Sequence, residues 1–301
     1  MNQVTSGDGA TRSAWDLSKT TGKSGTGHWR FWDRPFEQVA VAAERWAAAV
    51  SGVDRPWLCW NMNDRWCIVQ QKLVHEFGWT PVIGWDPSCG GPPSTVIPGA
   101  IAIDFNADLG LDVLYQHVPL EFAFLWAERL AFWHADLLLS REKMRKACEL
   151  FESLQSGETA AVKTYGGLRN ILRPRYHRYW EVLGCTTRAA SLAQFEIGCG
   201  WWRGFQEHPN APRAQSEQAR RNRYYDDHGC GIQYWQRFCG GRVRKIDERW
   251  IAAEHFSATT LRNYRRGRSK SEEMDLNFDL GSIADKLGIY DLLPSSGQRD
   301  D

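Results

Sequence analysis

The chain has 301 residues and a formal net charge of +1, with 37 basic and 36 acidic side chains. This length can bury a large core, in one large domain or two moderate ones. The near balance of charge excludes a strong whole-molecule field, so no nucleic-acid partner is expected. Tryptophan is abundant, with 16 residues, and its flat amphipathic ring suits sugars, nucleobases and protein interfaces.

The eight cysteines include no CxxC pair, and the polar N-terminus lacks the apolar segment of a secretion signal. We therefore expect a cytoplasmic protein. No apolar run reaches the length of a membrane span, so no transmembrane segment is predicted. A mixed zinc site that includes Cys230 and His228 stays open as an alternative.

Residues 1–28 are polar and rich in Gly, Ser and Thr, and we expect them to be disordered. The first predicted ordered element is a helix that Asp33 caps and Gly52 ends, because apolar residues recur between them at helical spacing. This helix is interpreted as packing material for the domain that follows.

Two short apolar strands are predicted at 56–61 and 80–85, with a helix between them that Asp64 caps. A strand, helix, strand unit implies a parallel pair with a right-handed crossover. Ligands of open sheets bind beyond the carboxyl ends of the strands, where Asn61 and Asp86 would lie. Each of these side chains has an alternative role as a capping or turn residue.

The central feature is the apolar run 130–139, which follows a predicted third strand at 99–105 and a helix at 119–129. His134 and Asp136 stand inside this run. Polar side chains in a buried strand need partners, so both are candidates for a functional site. The alternative is a core strand with a satisfied histidine and an aspartate that caps the next helix. That helix, capped by Ser140, and a strand at 159–162 complete the first half.

Three motifs in the second half carry further candidates. Residues 195–205 are rich in Gly and Trp and include Glu196, Trp201 and Trp202. Trp rings stack on sugar faces, although either tryptophan could equally belong to the core. Asp226 and Asp227 stand at the apparent start of a helix, where a carboxylate can also be a plain N-cap. His255 follows a short apolar segment, and a lone histidine is more often structural.

The order of these elements and motifs resembles nucleotide-sugar glycosyltransferases of the GT-A fold, over residues 56–256. In that family a DxD motif holds a divalent cation against the diphosphate of the donor. Here the matching residues are His134-Ala135-Asp136, so the first aspartate is replaced. The resemblance implies an α/β fold with a mixed, mostly parallel central sheet flanked by helices. It also implies a catalytic domain of residues 29–256 and a C-terminal extension of residues 257–301.

The resemblance further implies a role for each candidate residue in a metal-dependent and inverting transfer. Asp136 would hold Mn or Mg with the help of His134 and His255, and Asp227 would be the catalytic base. The nucleotide-sugar donor would contact Asn61, Asp86 and Asp136. The carbohydrate or glycolipid acceptor would contact Glu196, Trp201 and Trp202.

Two other classes of protein fit the sequence. One is a non-catalytic carbohydrate- or nucleotide-binding protein on the same fold, for which the histidine in place of aspartate is the best argument. The other is a Cys/His zinc hydrolase. The basic cluster 262–270 is either a solvated face or a face for diphosphate or anionic lipid, which would allow peripheral membrane contact.

Overall fold

The fold is seen in a computed structural model that describes residues 36–87, 91–111, 114, 116–164, 179–201, 229–256 and 280–294. Several predictions lie outside these residues: the disordered segment 1–28, the basic cluster 262–270, and the side chains of Trp202, Asp226 and Asp227. The first helix, α1 (Phe36–Ala49), buries Val39, Ala43 and Trp46 at helical spacing, as the sequence predicts.

A seven-stranded sheet forms the centre of the molecule. Its strands are β1 (Pro56–Asn61), β2 (Thr80–Trp85), β3 (Ile101–Ala102), β4 (Arg129–Trp133), β5 (Glu158–Lys163), β6 (Tyr179–Thr187) and β7 (Arg242–Asp247). Their order is β3-β2-β1-β4-β6-β5-β7, and β6 alone runs antiparallel to its neighbours. The predicted α/β fold with a mixed, mostly parallel sheet flanked by helices is confirmed.

Helices cover the sheet and connect its strands. After α1 come α2 (Asp64–Glu76), α3 (His117–Glu121), α4 (Ala123–Trp126), α5 (Arg141–Glu152), α6 (Arg188–Ile197), α7 (Cys230–Phe238), α8 (Glu248–Ile251) and α9 (Leu280–Lys286). Helix α2 connects β1 to β2, which pair in parallel as predicted. Asn63, rather than Asp64, caps α2, because its side chain accepts a hydrogen bond from the Trp66 N–H at 3.2 Å.

Many of the tryptophans pack the core. The ring of Trp57 lies edge-on to Trp79 at 5.4 Å and to Trp133 at 5.1 Å between centroids. Such aromatic pairs contribute about 0.5–1.5 kcal/mol beyond their burial. A second aromatic contact, between Trp60 and Phe105 at 6.2 Å, lies against Gly84 of β2, where a Cβ would lie 2.8 Å from the Phe105 ring and would also overlap Trp60. Much of the unusual tryptophan content therefore serves the fold.

The central apolar run is not one strand, and this part of the prediction is wrong. Strand β4 ends at Trp133, and the chain turns so that the Leu137 N–H donates to the His134 carbonyl at 3.2 Å. Leu137, Leu138 and Leu139 are nevertheless fully buried. The residues after the strand are apolar because the turn leads back into the core. Apolar content alone does not distinguish a buried turn from a buried strand.

Two other predicted elements are shorter than expected. The strand predicted at 99–105 is only Ile101–Ala102, and the helix predicted at 119–129 is replaced by the short α3 and α4. The backbone changes direction at Phe122, whose φ of −103° and ψ of 17° end α3 before α4 begins. Local spacing of apolar residues did not reveal that break.

Part of the predicted C-terminal extension belongs to the same core. Within residues 280–294, the side chains of Leu280, Ala284, Ile289 and Leu292 are buried against it. Polar contacts also fix this segment: Arg141 of α5 lies 2.7 Å from Asp291, and Lys72 of α2 donates to the Leu293 carbonyl at 3.3 Å. The segment is thus packed onto the sheet domain.

Candidate metal centre

The candidate site lies where the winding of the sheet reverses. The chain winds from β1 through β2 to β3 on one side of the sheet. It then returns to β4, which lies on the other side of β1. Ligands of open α/β sheets bind beyond the carboxyl ends of the strands at such a switch point. Asn61 ends β1 and His134 directly follows β4, so both residues lie at this point.

His134, Asp136 and His255 converge at this edge. The turn after β4 carries the first two, and an antiparallel bridge between Leu137 and His255 brings the third. The Phe256 N–H donates to the Asp136 carbonyl at 3.0 Å and extends this bridge. One carboxylate oxygen of Asp136, Oδ1, lies 3.3 Å from His255 Nε2 and 3.6 Å from His134 Nδ1. The three predicted metal ligands are therefore neighbours in the structure.

The geometry of this group fits a single cation. One ligand atom from each residue lies within 4.8 Å of the others, and no other such group occurs among the described residues. Donor atoms that each lie about 2.0–2.2 Å from one ion are roughly 3–4 Å apart, which the two shorter distances match. Three protein ligands also leave coordination positions for substrate oxygens.

Glu181 and His117 extend the group behind His134. Glu181 is buried on β6, with Oε1 3.2 Å from His134 Nε2 and 3.1 Å from His117 Nε2. Imidazoles and carboxylates therefore alternate from His117 to His255. We assign the Nε2 proton of His134 to the bond with Glu181, which leaves Nδ1 facing Asp136. Histidines that bind metals are commonly oriented in this way by a carboxylate.

Neither Glu181 nor His117 is among the residues that the sequence pointed to. Strand β6 itself was not predicted, although Glu181 stands within a run of apolar and aromatic residues. A charged side chain in such a run is a signal of a buried partner. That signal could have identified Glu181, whereas His117 becomes visible only through its contact with Glu181.

Hydrogen bonding outweighs burial at the two residues of the HxD motif. Burial by itself would lower the pKa of His134, but hydrogen bonds to Asp136 and Glu181 and their charges raise it to about 9. Burial would raise the pKa of Asp136, but hydrogen bonds to His134 and His255 hold it well below its usual value. Without a cation, a proton on His134 balances the carboxylates at neutral pH. A cation must displace that proton to bind Nδ1.

Gln70 holds the turn that carries the ligands. Its side chain is fully buried on α2, and its Nε2 donates to the carbonyls of His134 at 2.8 Å and Leu137 at 2.9 Å. These bonds satisfy two carbonyls of a turn that lies in the interior. The positions of His134 and Asp136 thus depend on α2 as well as on β4.

Asn61 and Asp86 lie at the same edge, as predicted for donor contacts, but both side chains are buried. Asn61 Nδ2 donates to Asp64 Oδ1 at 2.9 Å and to the Gly91 carbonyl at 3.1 Å. Asp86 Oδ1 accepts from the Leu114 N–H at 3.2 Å. These contacts agree with the alternative of turn residues. Their role in donor binding stays a prediction.

Of the three residues predicted to contact the acceptor, Glu196 and Trp201 lie among the described residues. Trp201 is 1% exposed and packs edge-on against Phe132 at 5.0 Å, which agrees with the core alternative. Glu196 is exposed near the end of α6, and Trp202 lies outside the described residues. A fully buried ring cannot stack on a sugar without rearrangement of the core. The acceptor role of Trp201 therefore loses its physical basis in this conformation.

Asp227 lies outside the described residues, but the helix that follows it does not. Helix α7 begins at Cys230, and its N-cap is Gly229 in the left-handed region with a φ of 75°. A Cβ at Gly229 would overlap the Tyr179 carbonyl, so glycine is required there. Gly229, two residues after Asp227, therefore occupies the N-cap position, and the role of Asp227 stays a prediction. The contact with Tyr179 also places the start of α7 at the edge of the sheet where β6 begins.

The Cys/His zinc alternative finds no further support from its cysteine. Cys230 is buried in a small apolar cluster with Ala190, Tyr234 and Trp235, and Cys199 completes it. His228 lies outside the described residues. Among the residues with described positions, no group of possible metal ligands includes Cys230.

A comparison of the chain with protein-family models, curated proteins and solved structures found no match. Within the described parts of the chain, no helix is long and apolar enough to cross a membrane. A fold alone does not define a function, so the argument for function rests on the site itself.

Proposed function

We propose that this protein is a metal-dependent glycosyltransferase that moves a sugar from a nucleotide-sugar donor to the hydroxyl of a carbohydrate or glycolipid acceptor. The observation that carries the proposal is the convergence of His134, Asp136 and His255 at the switch point of a mostly parallel sheet. The GT-A resemblance expects a cation at the residues that follow this strand. Open sheets bind their ligands beyond the carboxyl ends of the strands at the switch point, which is the same place.

The proposed cofactor is Mn or Mg, held by one carboxylate and two imidazoles. Mn is the better fit of the two, because imidazole can ligate Mn, whereas Mg keeps to oxygen ligands and water. When bound, the cation would neutralise the negative charge of the leaving diphosphate. Asp136 supplies the oxygen ligand, and Glu181 orients His134 so that Nδ1 faces the ion.

The remaining roles belong to residues around this edge. Asp227 would take the proton of the acceptor hydroxyl as that oxygen attacks the anomeric carbon from the face opposite the diphosphate. Gly229 packs on Tyr179 at the edge of the sheet, which supports a position of Asp227 near the site. Asn61 and Asp86 would contact the nucleotide, and Glu196 and Trp202 the acceptor.

The cytoplasm is the proposed location, because all seven described cysteines are free thiols, as is usual in a reducing compartment. A second candidate function is a zinc hydrolase that uses the same three ligands. The two imidazoles favour it, since zinc binds imidazole readily and activates water at an open position. It would not require Cys230.

The test is a panel of sugar nucleotides, measured for binding and for release of the nucleotide with Mn, Mg, Zn or a chelator. We expect Mn-dependent binding of one donor, loss of that binding in Asp136→Ala, and slow hydrolysis by the wild type. In Asp227→Asn, transfer should fall by about 10²–10⁴-fold while donor affinity is unchanged. Binding without turnover would support the non-catalytic alternative. Tightly held zinc without any nucleotide binding would support the hydrolase.

A further inference from the structure

Lys163 is a half-buried cation at the carboxyl end of β5, and its polar contacts among the described residues are with neutral groups. Its Nζ donates to Gln233 Oε1 and lies 4.6 Å from the centroid of the Tyr179 ring. No described carboxylate lies within ion-pair distance of it. Asp247 is its strand partner on β7, but the Asp247 carboxylate lies 2.6 Å from Arg249.

The other charged groups around Lys163 are mainly cations. Arg237 lies one helical turn after Gln233 on α7, and Lys245 on β7 is in register with Ala161 of β5. Burial, together with the positive charges of Lys245 and Arg237, lowers the pKa of Lys163 to about 8. A desolvated cation among like charges is costly unless an anion joins it.

The position of Lys163 relates it to the metal centre. The carboxyl ends of β4 and β5 lie at the same edge, with β6 between them. Neighbouring strands are about 4.8 Å apart, so β4 and β5 are separated by roughly 10 Å across the sheet. Lys163 also lies further along the sheet, because it is in register with Tyr179 of β6 whereas Trp133 is in register with Leu183. Trp180 of β6 stands between them, with its ring 6.1 Å from the His255 ring. One extended ligand could therefore contact both places.

We propose that Lys163, with Arg237 and Lys245, binds an oxyanion group, namely a phosphate, at the same edge of the sheet as the metal centre. Lysine ammonium groups bind phosphate as point charges, and several cations around one tetrahedral anion can each neutralise part of its charge. The Tyr179 hydroxyl donates to Gln236 at 2.7 Å, which fixes the ring beneath Lys163. If the protein is also a glycosyltransferase, a substrate that fills both places carries a second anionic group more than about 10 Å from the cation.

The direct test measures the reactivity of Lys163 towards an acetylating reagent at pH 8 by peptide mass spectrometry. A chelator is present, so the result does not depend on the metal centre. We expect inorganic phosphate to slow acetylation of Lys163 severalfold relative to sodium chloride of equal ionic strength, because a bound anion raises the pKa of the amine. Lys146, which is exposed and paired with Glu142 at 2.6 Å, is the internal control and should not change.

The matched variants are Lys163→Arg and Lys163→Met, with phosphate affinity measured by calorimetry in the presence of chelator. We expect the arginine variant to retain binding and the methionine variant to lose at least tenfold. Arg237→Met and Lys245→Met, at exposed positions, should each weaken binding if Lys163→Met does not fold. Unchanged acetylation with phosphate, or equal affinity in the wild type and Lys163→Met, would overturn the proposal. If Mn-dependent donor binding is intact in the same experiments, that outcome would contradict the phosphate site alone and would still support the proposed function.

Discussion

Asp136 is the residue on which the metal centre depends, because both histidine ligands lie next to one of its oxygens. The buried series from His117 to His255 alternates potential cations with carboxylates, so each charge has a partner. Removal of one partner from such a pair leaves an uncompensated charge and typically costs about 3–5 kcal/mol. The same arrangement makes cation binding and proton binding compete for the same place.

The affinity for Mn should depend on pH in a way that His134 determines. Its pKa is raised to about 9, so the residue is protonated below that pH and must lose a proton when the cation binds. The affinity for Mn should therefore rise by about tenfold from pH 7 to pH 8. Calorimetry in buffers of different ionisation enthalpy measures both the affinity and the proton released. An affinity independent of pH, without proton release, would contradict this role of His134.

Glu181→Gln tests the carboxylate that orients His134. The substitution keeps the size of the side chain but removes its negative charge, so the pKa of His134 should fall towards its usual value. Loss of an orienting partner typically weakens metal affinity by about 10–100-fold, and this loss is compared after the affinities are corrected for the proton that His134 must release. The two quantities can be followed by NMR titration of the histidines and by Mn titration. Glu142→Gln, at an exposed position on α5, is the control, and equal affinity in both variants would argue against the role.

At the scale of elements, the sequence indicated β1, α2 and β2 correctly, because Pro56, Asp64 and Gly78 separate segments with different periods, although the residue that caps α2 is Asn63. The prediction failed where buried residues do not belong to a strand, as at Leu137–Leu139, where the apolar run continues through a turn. All three candidate ligands were named from the sequence, but His255 only through the family resemblance and not through local spacing. His255 reaches Asp136 through a bridge between distant segments, and no local spacing encodes that contact.

Gln70 on α2 should affect the site more than its neighbour Gln71. Gln70→Leu leaves the Leu137 carbonyl without its donor, at about 1–3 kcal/mol, whereas the His134 carbonyl keeps its bond from the Leu137 N–H. The substitution should also weaken Mn binding. Gln71 is equally buried, but it bonds to the backbone of Thr95 and Ile97 in the loop after β2. Gln71→Leu should therefore reduce stability with Mn affinity unchanged. Chemical denaturation and Mn titration of both variants make the comparison.

At the scale of the whole molecule, the C-terminal segment 280–294 is a structural part of the sheet domain. Ile289 is fully buried, so Ile289→Ala should lower the free energy of unfolding by about 2–5 kcal/mol. Tyr290 is 61% exposed, and Tyr290→Ala should change the free energy of unfolding by less than about 0.5 kcal/mol. Equal effects of the two substitutions in urea unfolding would show that this segment does not pack as described.

The edge formed by the carboxyl ends of the strands unites the features with functional meaning. It carries a compact group of histidines and carboxylates after β4 and, at the end of β5, a cation with no carboxylate within ion-pair distance among the described residues. The group after β4 favours a cation, and Lys163 favours an anion. Together they suit a ligand that presents a metal-bound diphosphate at one end and a further anionic group at the other. The two preferences can be measured separately, because a chelator removes only the first.

His134, Asp136 and His255 are proposed to hold one divalent cation. Pulsed electron paramagnetic resonance of Mn added to the purified protein tests it most directly, because the spectrum reports nitrogen atoms bound to the ion. We predict one Mn for each chain with couplings to two histidine nitrogens, one of which is lost in His255→Gln, and no bound Mn in Asp136→Ala. Stoichiometric Mn without nitrogen coupling, or with a spectrum that neither substitution changes, would contradict the account.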